Sequence, residues 1–449
     1  MKSLMMAVTG IRGIIGETLT PDLALKAGKA FGTLIGKGPV ILGGDTRISY
    51  LMVKQALVSG LMSVGTDIMD IGQVPTPTVQ QMIRYHRAQG GVVITASHNP
   101  IMWNGIKLMN HEGSFINEQD FDAFLNFFRA DELPLSSWDE LGQVHCDSQS
   151  IYYHVDRILE VIDPVSIRFS GLKVLVDANN GTGALANPIL LDRLGVEYEI
   201  LNPEPNGRFA HDPEPLEKNL SQIKKQMAKG GYDIGFVQDA DADRLVILDE
   251  NGRFIGEDYS FGFCVDYLLS QETARKKTLV VNLSTSKLLE WIAEKYGAQI
   301  LYSKIGEAHV TQMLKQSKAQ VGGEGNGGII FPKIGWGRDS LVGITVALKY
   351  LADSKKKVSE IVAAYPRYVM VRDKVSISNK EEIGACLNKV EKAYRGYSIN
   401  MLDGLKISLD DGWIHVRPSN TEPIIRIFIE AKDDKQAEII LNEVKNIIK

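Results

Sequence analysis

Gly91-Val92-Val93-Ile94-Thr95-Ala96-Ser97-His98-Asn99-Pro100 is an apolar run that passes directly into a polar loop. The run reads as a buried strand, and Asn-Pro marks the loop that ends it. A serine hydroxyl and an imidazole then sit at a strand's carboxyl end, where open α/β sheets place their ligands. Ser97 there is a candidate nucleophile or covalent carrier, with His98 beside it.

Outward from this loop, short apolar runs alternate with amphipathic segments. Pro39–Leu42 and Asp67–Ile71 read as strands, and Leu51–Val64 and Gln81–His86 as helical. The pattern restarts with strands at Leu172–Val176, Tyr198–Leu201 and Ile234–Val237 and helices near 186–194 and 220–229. It restarts again with strands at Thr278–Asn282 and Gln299–Tyr302 and helices near 286–296 and 308–315. This punctuation predicts three similar α/β units with mixed or parallel sheets, although the units share no obvious sequence repeat. The end differs: Gly404–Leu409, Trp413–Val416 and Ile424–Ala431 read as strands without long helices between them, before a helix at 435–448. That predicts a smaller α+β unit. The expected bounds are 1–148, 149–252, 253–366 and 367–449.

A chain of 449 residues is too long for one ordinary core, which agrees with several units. Its apolar content of 44% and charged content of 23% are those of a globular enzyme. A net charge of -5 argues against general nucleic-acid affinity. No apolar run reaches the ~18 residues of a membrane span. Residues 1–8 faintly imitate a signal peptide, but Thr9-Gly10-Ile11-Arg12-Gly13 interrupts them, and they read as a first strand. Cys146, Cys264 and Cys386 are widely spaced and form no CxxC pair, which suits buried thiols in a reducing cytoplasm.

Three more loops carry chemistry. Asp239, Asp241 and Asp243, followed by Arg244, lie between the apolar runs 234–237 and 245–248. Each like-charged pair at ~4 Å costs about 4 kcal/mol at an effective dielectric of about 20. A hard cation such as Mg²⁺ removes that cost. An EF-hand would put Glu250 at its twelfth position, but Arg244 stands where that loop needs glycine and the flanks are strands. Gly322-Gly323-Glu324-Gly325-Asn326-Gly327-Gly328 presents Glu324 and Asn326 from a glycine-rich loop, a pairing suited to sugar hydroxyls. Arg417-Pro418-Ser419-Asn420-Thr421-Glu422-Pro423, with Arg426 soon after, combines guanidinium, hydroxyl and amide groups into a candidate phosphate cradle. Arg12 and Arg47, in short glycine-arginine turns, are candidates either to face a phosphate on Ser97 or to be surface arginines. Lys107 is a candidate point charge near the reacting oxygens. Lys304, Gly306, Glu307 and His309 come after a strand of the third unit and are candidate substrate contacts.

Together these loops resemble the α-D-phosphohexomutase superfamily, in its order and over nearly the whole chain. Residues 95–100 look like its phosphoserine loop, 239–244 its metal loop, 323–328 its sugar loop and 417–423 its phosphate loop. The resemblance implies four domains around a central cleft. It implies that Ser97 carries a phosphoryl group and that Mg²⁺ is held by Asp239, Asp241, Asp243 and an oxygen of that phosphate. The phosphoryl passes to a hexose phosphate, the bisphosphorylated sugar turns over in the cleft, and its other phosphate returns to Ser97. Hexose 1,6-bisphosphate is then the implied activator, and Arg12, Lys107 and Arg244 are implied stabilisers of the transferring group. The implied partner is a phosphosugar, bound by a monomer or homodimer.

One departure is plain. Many members read Gly-Glu-x-Ser-Gly-His in the sugar loop, whereas this chain has Asn326 for the serine and Gly328 for the histidine. This Asn-Gly-Gly loop resembles those of archaeal and some bacterial branches labelled as phosphoglucosamine or phosphomannose mutases, and the chain length suits the former. Two further readings stay open: a phosphatase that hydrolyses phospho-Ser97, and a silent sugar-phosphate binding protein.

Overall fold

The structure is a computed structural model that describes residues 4–377, 381–419 and 424–448. Four sheets carry the chain. In the first, Val40–Gly44 lies between Ile68–Gln73 and Gly90–Ile94, parallel to both, and Trp103–Asn110 runs antiparallel along Gly90–Ile94. In the second, Lys173–Asp177 lies between Glu197–Leu201 and Ile234–Gln238, both parallel, with Leu245–Leu248 antiparallel at the edge. In the third, Thr278–Asn282 lies between Gln299–Ser303 and Val321–Glu324, with Gly328–Ile330 antiparallel at the edge. One arrangement therefore occurs three times: the first strand is central, the second and third flank it, and the fourth returns along the third. The serine, aspartate and sugar loops all occupy the same place, the hairpin from third strand to fourth.

The first sheet extends further than its counterparts, through Met5–Ala7 and Gly10–Ile14 on one side and Val144–Cys146 on the other. The last sheet is antiparallel throughout, in the order Val369–Ser376, Ile424–Ala431, Gly412–Pro418, Leu405–Leu409, Ser398–Asn400. A helix at Glu382–Ala393, which the sequence pattern does not predict, precedes the strands from Ser398 onward and packs on the final helix, Asp434–Ile448.

Helices cover the sheets. Pro21–Ile35 is capped by Thr20, whose hydroxyl accepts from Leu23 N at 3.3 Å. It packs on Tyr50–Ser63 through two glycines. A Cβ on Gly28 would stand 2.3 Å from Leu57 O, and one on Gly60 would stand 2.2 Å from Leu25 O. Gly28→Ala is therefore expected to destabilise the protein by about 2 kcal/mol through overpacking, measured as a fall in the denaturant midpoint. Helices Glu257–Gln271 and Ser340–Ser354 pack on each other in one apolar core shared by the second and third units. Ser340–Ser354 is apolar around most of its circumference, so it shows little amphipathic period. No helix among the described residues is long and apolar enough to cross a membrane. Cys264 and Cys386 are buried, but Cys146 is exposed, contrary to the expectation that all three are buried.

The last sheet meets the third unit through His415, which is fully buried. Its Nε2 donates to Asp403 O at 2.6 Å, so Nδ1 accepts from Ser284 Oγ at 2.8 Å. Burial pushes this imidazole down to about 4. Between pH 6.5 and 4 the unfolded chain takes up a proton that the folded chain refuses, so stability falls as pH falls, by about 3 kcal/mol over the window. His415→Asn is expected to flatten the stability profile between pH 6.5 and 4, as read by denaturant titrations at stepped pH.

Candidate active site

Ser97 is buried and holds a left-handed backbone at φ 50, a conformation that non-glycine residues keep only when their surroundings enforce it. Arg47 does the enforcing. Its guanidinium donates to the carbonyls of Ser97 and Asn99 at 2.7 Å and of Pro100 and Trp103 at 2.9 Å, and Nε pairs with Asp45 at 3.1 Å. Arg47 is 1% exposed. It is thus neither a surface arginine nor free to face a phosphate; its donors are spent on the serine loop. Asp45 also accepts from Thr95 Oγ1 at 2.5 Å, and that oxygen accepts from Ser97 N at 2.8 Å.

The serine hydroxyl donates to Asp239 Oδ2 at 2.9 Å, across 142 residues of sequence. His98 Nδ1 stands 3.4 Å from the same hydroxyl oxygen. Burial, with Arg244 and Arg12 nearby, holds His98 well below the usual imidazole range. Arg12 donates to Asn99 Oδ1 at 3.0 Å and so borders the serine loop.

The aspartate loop turns through Ala242 at φ 51 and brings oxygens of Asp239, Asp241 and Asp243 within 4.8 Å of one another, all buried. Lys107 is buried as well and donates to Asp241 Oδ2 at 2.6 Å, with Asp243 Oδ2 at 3.5 Å. Thr76 donates to the same Asp241 oxygen at 2.5 Å. Asp239 Oδ1 accepts from the N–H groups of Asp243 and Arg244. Burial and the two neighbouring carboxylates raise Asp239 well above the usual carboxylate range. Burial also opposes ionisation of Asp243, but Arg338, Lys107 and Arg244 outweigh it and hold that carboxyl below its usual range. Asp241 Oδ1 and Asp243 Oδ1 are buried without a hydrogen-bond partner. Two orphaned carboxylate oxygens in an all-oxygen cluster fit a hard divalent cation. Arg244 approaches Asp243 at 3.8 Å and Asp239 at 4.0 Å, and its Nε has no hydrogen-bond partner.

The sugar-loop candidates are tied together by a residue that the motifs did not include. Arg338 donates to Glu307 and Glu324 at 3.0 Å and to Asp243 at 2.6 Å. Glu324 also accepts from Asn282 Nδ2 at 2.8 Å and Gly306 N at 3.0 Å, and Glu307 from Gln80 Nε2 at 3.2 Å. Glu307 is buried and clamped, whereas Lys304 is exposed and His309 half-buried. Those two line a cavity of about 750 Å³ with Asn110, Ser114 and Leu402, between the first, third and fourth units. Asn326 Oδ1 is buried without a partner.

In the last unit, Arg417 and Arg426 are directly opposed across neighbouring strands. Like charges in such register repel unless an anion joins them. Arg417 pairs with Asp403 at 3.4 Å and keeps Nε unpartnered. Ser419 N donates to Ile424 O at 3.0 Å, while Asn420 and Thr421 lie outside the described residues.

Arg338, Thr76 and Gln80 were not legible as site residues in the sequence. Arg338 sits in Gly335-Trp336-Gly337-Arg338-Asp339, beside Asp339, which caps the helix Ser340–Ser354. The cap was a readable signal; the arginine's partners, 14 to 95 residues away, were not.

Comparison with known proteins agrees with this arrangement. The phosphoglucomutase/phosphomannomutase family matches through its alpha/beta/alpha domains I, II and III at residues 5–133, 153–252 and 256–368, and through its C-terminal domain at 373–447. A Thermococcus kodakarensis protein named phosphoglucomutase/phosphomannomutase is 39% identical over 436 residues, 95% of this chain and 94% of that one. A Methanopyrus kandleri protein named probable phosphoglucosamine mutase is 35% identical over 446 residues, 98% of this chain and 97% of its own. The crystal structure of a phosphoglucomutase/phosphomannomutase family protein from Burkholderia thailandensis superposes with a TM-score of 0.85 at 25% identity, covering 99% of this chain and 98% of that one. With four domains matched in order and two relatives aligned almost end to end, the chain belongs to the phosphoglucomutase/phosphomannomutase family of the α-D-phosphohexomutase superfamily.

Proposed function

We propose that this protein interconverts hexose 1-phosphates and 6-phosphates through a phosphorylated Ser97, within units bounded near 148, 252 and 366. The observation that carries the reading is the Ser97 hydroxyl lying 2.9 Å from Asp239 at the edge of the buried acidic triplet. Asp239, Asp241 and Asp243 would hold Mg²⁺, the last two through the oxygens now unpartnered. When bound, the ion neutralises charge on the transferring phosphoryl oxygens.

In the transfer, the Ser97 Oγ–P bond breaks and a bond from the sugar hydroxyl oxygen to phosphorus forms. The hydroxyl's proton ends on Ser97 Oγ, which donates it in a hydrogen bond to Asp239 Oδ2. Lys107, Arg12 and Arg244 supply positive charge around the reacting oxygens. Arg417 and Arg426, with Ser419, Asn420 and Thr421, grip the phosphate at the sugar's far end. That second anion site favours a mutase over a phosphatase, which has no need of it. Glu324 and Asn326 meet sugar hydroxyls, and Lys304 and His309 reach the ligand from the cavity they line.

Glucosamine phosphate is the favoured substrate. The name of the Methanopyrus relative, probable phosphoglucosamine mutase, supports this reading. The name of the Thermococcus relative supports mannose and glucose phosphates as the second reading. Purified protein with Mg²⁺ and catalytic hexose 1,6-bisphosphate is to be compared on glucosamine, mannose and glucose 1-phosphates. The expected order puts glucosamine first, and sustained phosphate release without any 6-phosphate would contradict the mutase reading.

A further inference from the structure

Arg338 lies outside all four loops, yet it bonds to two of them. Each of its three guanidinium nitrogens meets a different carboxylate: Nε meets Glu307, one terminal nitrogen Glu324, and the other Asp243. These carboxylates come from three separate segments and include one of the acidic triplet. Only a planar fork reaches three such acceptors together; a lysine ammonium does not. The backbone at this point is also anchored. Asp339 Oδ1 accepts from Leu341 N and Val342 N, and Oδ2 meets His154 Nε2 at 2.8 Å, with His154 Nδ1 2.9 Å from Thr78 Oγ1.

The stem of Arg338 runs against Gly328. A Cβ built on Gly328 would stand 2.2 Å from Arg338 Cδ, 2.9 Å from Cγ and 3.1 Å from Asn326 Oδ1. The backbone of Gly328 is not left-handed, so space alone demands the glycine. The stem cannot swing aside cheaply, because three ion pairs hold its far end. The same fork decides what Glu324 has left to offer. Of the about four lone-pair positions on a carboxylate, Asn282 and Gly306 take two on Oε1 and Arg338 takes one on Oε2. One position on Oε2 remains for a ligand hydroxyl.

We propose that Arg338 is the positioning residue that fixes Glu324 in register with the acidic triplet, and that Gly328 and Arg338 form a matched pair in which the glycine exists to admit the arginine. This rests on reading Glu324 as the group that meets sugar hydroxyls. It accounts for a glycine at a position whose backbone conformation does not itself require one.

The test measures glucosamine 6-phosphate binding by calorimetry in a Ser97→Ala background, where turnover cannot interfere. Arg338→Met and Gly328→Ala are each expected to weaken binding at least tenfold. Their combination is expected to bind within twofold of Arg338→Met alone, because a stem no longer tied at its far end by three ion pairs is free to swing away from the added methyl. Arg338→Lys is expected not to rescue. With Ser97 restored, Gly328→Ala is expected to raise KM at least tenfold while kcat changes less than threefold. If Arg338→Met does not fold, Gly328→Ala and Arg338→Lys, which keep a cation, carry the test. Binding within twofold of the parent in a folded Gly328→Ala or Arg338→Met protein overturns the proposal. So does a double variant whose loss equals the product of the single losses. A Ser97→Ala parent that binds no sugar phosphate overturns instead the functional reading beneath it.

Discussion

Ser97→Ala abolishes interconversion, with a loss of about 10⁴-fold or more, while leaving the fold and sugar-phosphate binding in place. The size reflects the role: if Ser97 Oγ is the atom that forms and breaks the bond to phosphorus, no neighbour substitutes for it. His98 stands 3.4 Å from that oxygen and Asp239 2.9 Å, but neither has the loop geometry that Arg47 imposes at residue 97. The fold survives because the loop is held by its carbonyls, not by the serine side chain. Asp239 loses one hydrogen bond and keeps two, from Asp243 N and Arg244 N. Activity assays and calorimetry on the same preparation separate loss of chemistry from loss of binding, and residual turnover above a hundredth of the parent's contradicts a covalent role.

Asp241→Asn removes one charge from the triplet, and its effects divide cleanly between metal-free and metal-loaded protein. Without metal, the change relieves like-charge repulsion of about 4 kcal/mol per pair at ~4 Å. It also takes the closer partner from buried Lys107, which breaking an ion pair makes costly by about 3 kcal/mol or more. Lys107 keeps Asp243 at 3.5 Å, and with Asp239 held well above the usual carboxylate range only the pair with Asp243 repels strongly, so the opposed effects leave metal-free stability nearly unchanged. Mg²⁺ is expected to bind at least tenfold more weakly, and turnover to fall about 10³-fold. In the parent, added Mg²⁺ raises the melting midpoint by selective binding to the folded state; in Asp241→Asn that rise is smaller at the same Mg²⁺ concentration. Thermal scans with and without Mg²⁺ provide the check, and a variant that keeps the parent's Mg²⁺-dependent shift contradicts the assignment of the triplet.

Much of the fold was legible because each α/β unit announces itself locally. Leu245–Leu248, Thr278–Asn282 and Ile424–Ala431 have the bounds that their apolar runs predict. The threefold topology was legible as rhythm but not as residue identity, since a central strand needs only a buried apolar run and a hairpin after it. The helices Glu257–Gln271 and Ser340–Ser354 were hidden because burial on nearly every side removes the amphipathic period. The serine and aspartate loops could be read because their chemistry is contiguous in sequence. Arg338, Thr76 and Gln80 could not, because each acts on a carboxylate that only folding brings near. Gly328 stood out as a departure before the fold supplied its reason, the stem of Arg338. Lys107 and Arg47 illustrate the same limit: a lone basic residue in sequence reads as solvent-facing, and here both are buried, Lys107 against Asp241 and Arg47 with its donors used on Asp45 and the serine loop.

Peptide mass spectrometry of the protein, first incubated with Mg²⁺ and a hexose 1,6-bisphosphate and then mixed with excess hexose 6-phosphate, tracks the covalent step directly. A covalent carrier at Ser97 predicts one phosphoryl group on the peptide containing that residue, lost on mixing and recovered in newly formed bisphosphate. A phosphoryl group found elsewhere, none at all, or one released only as inorganic phosphate would contradict it.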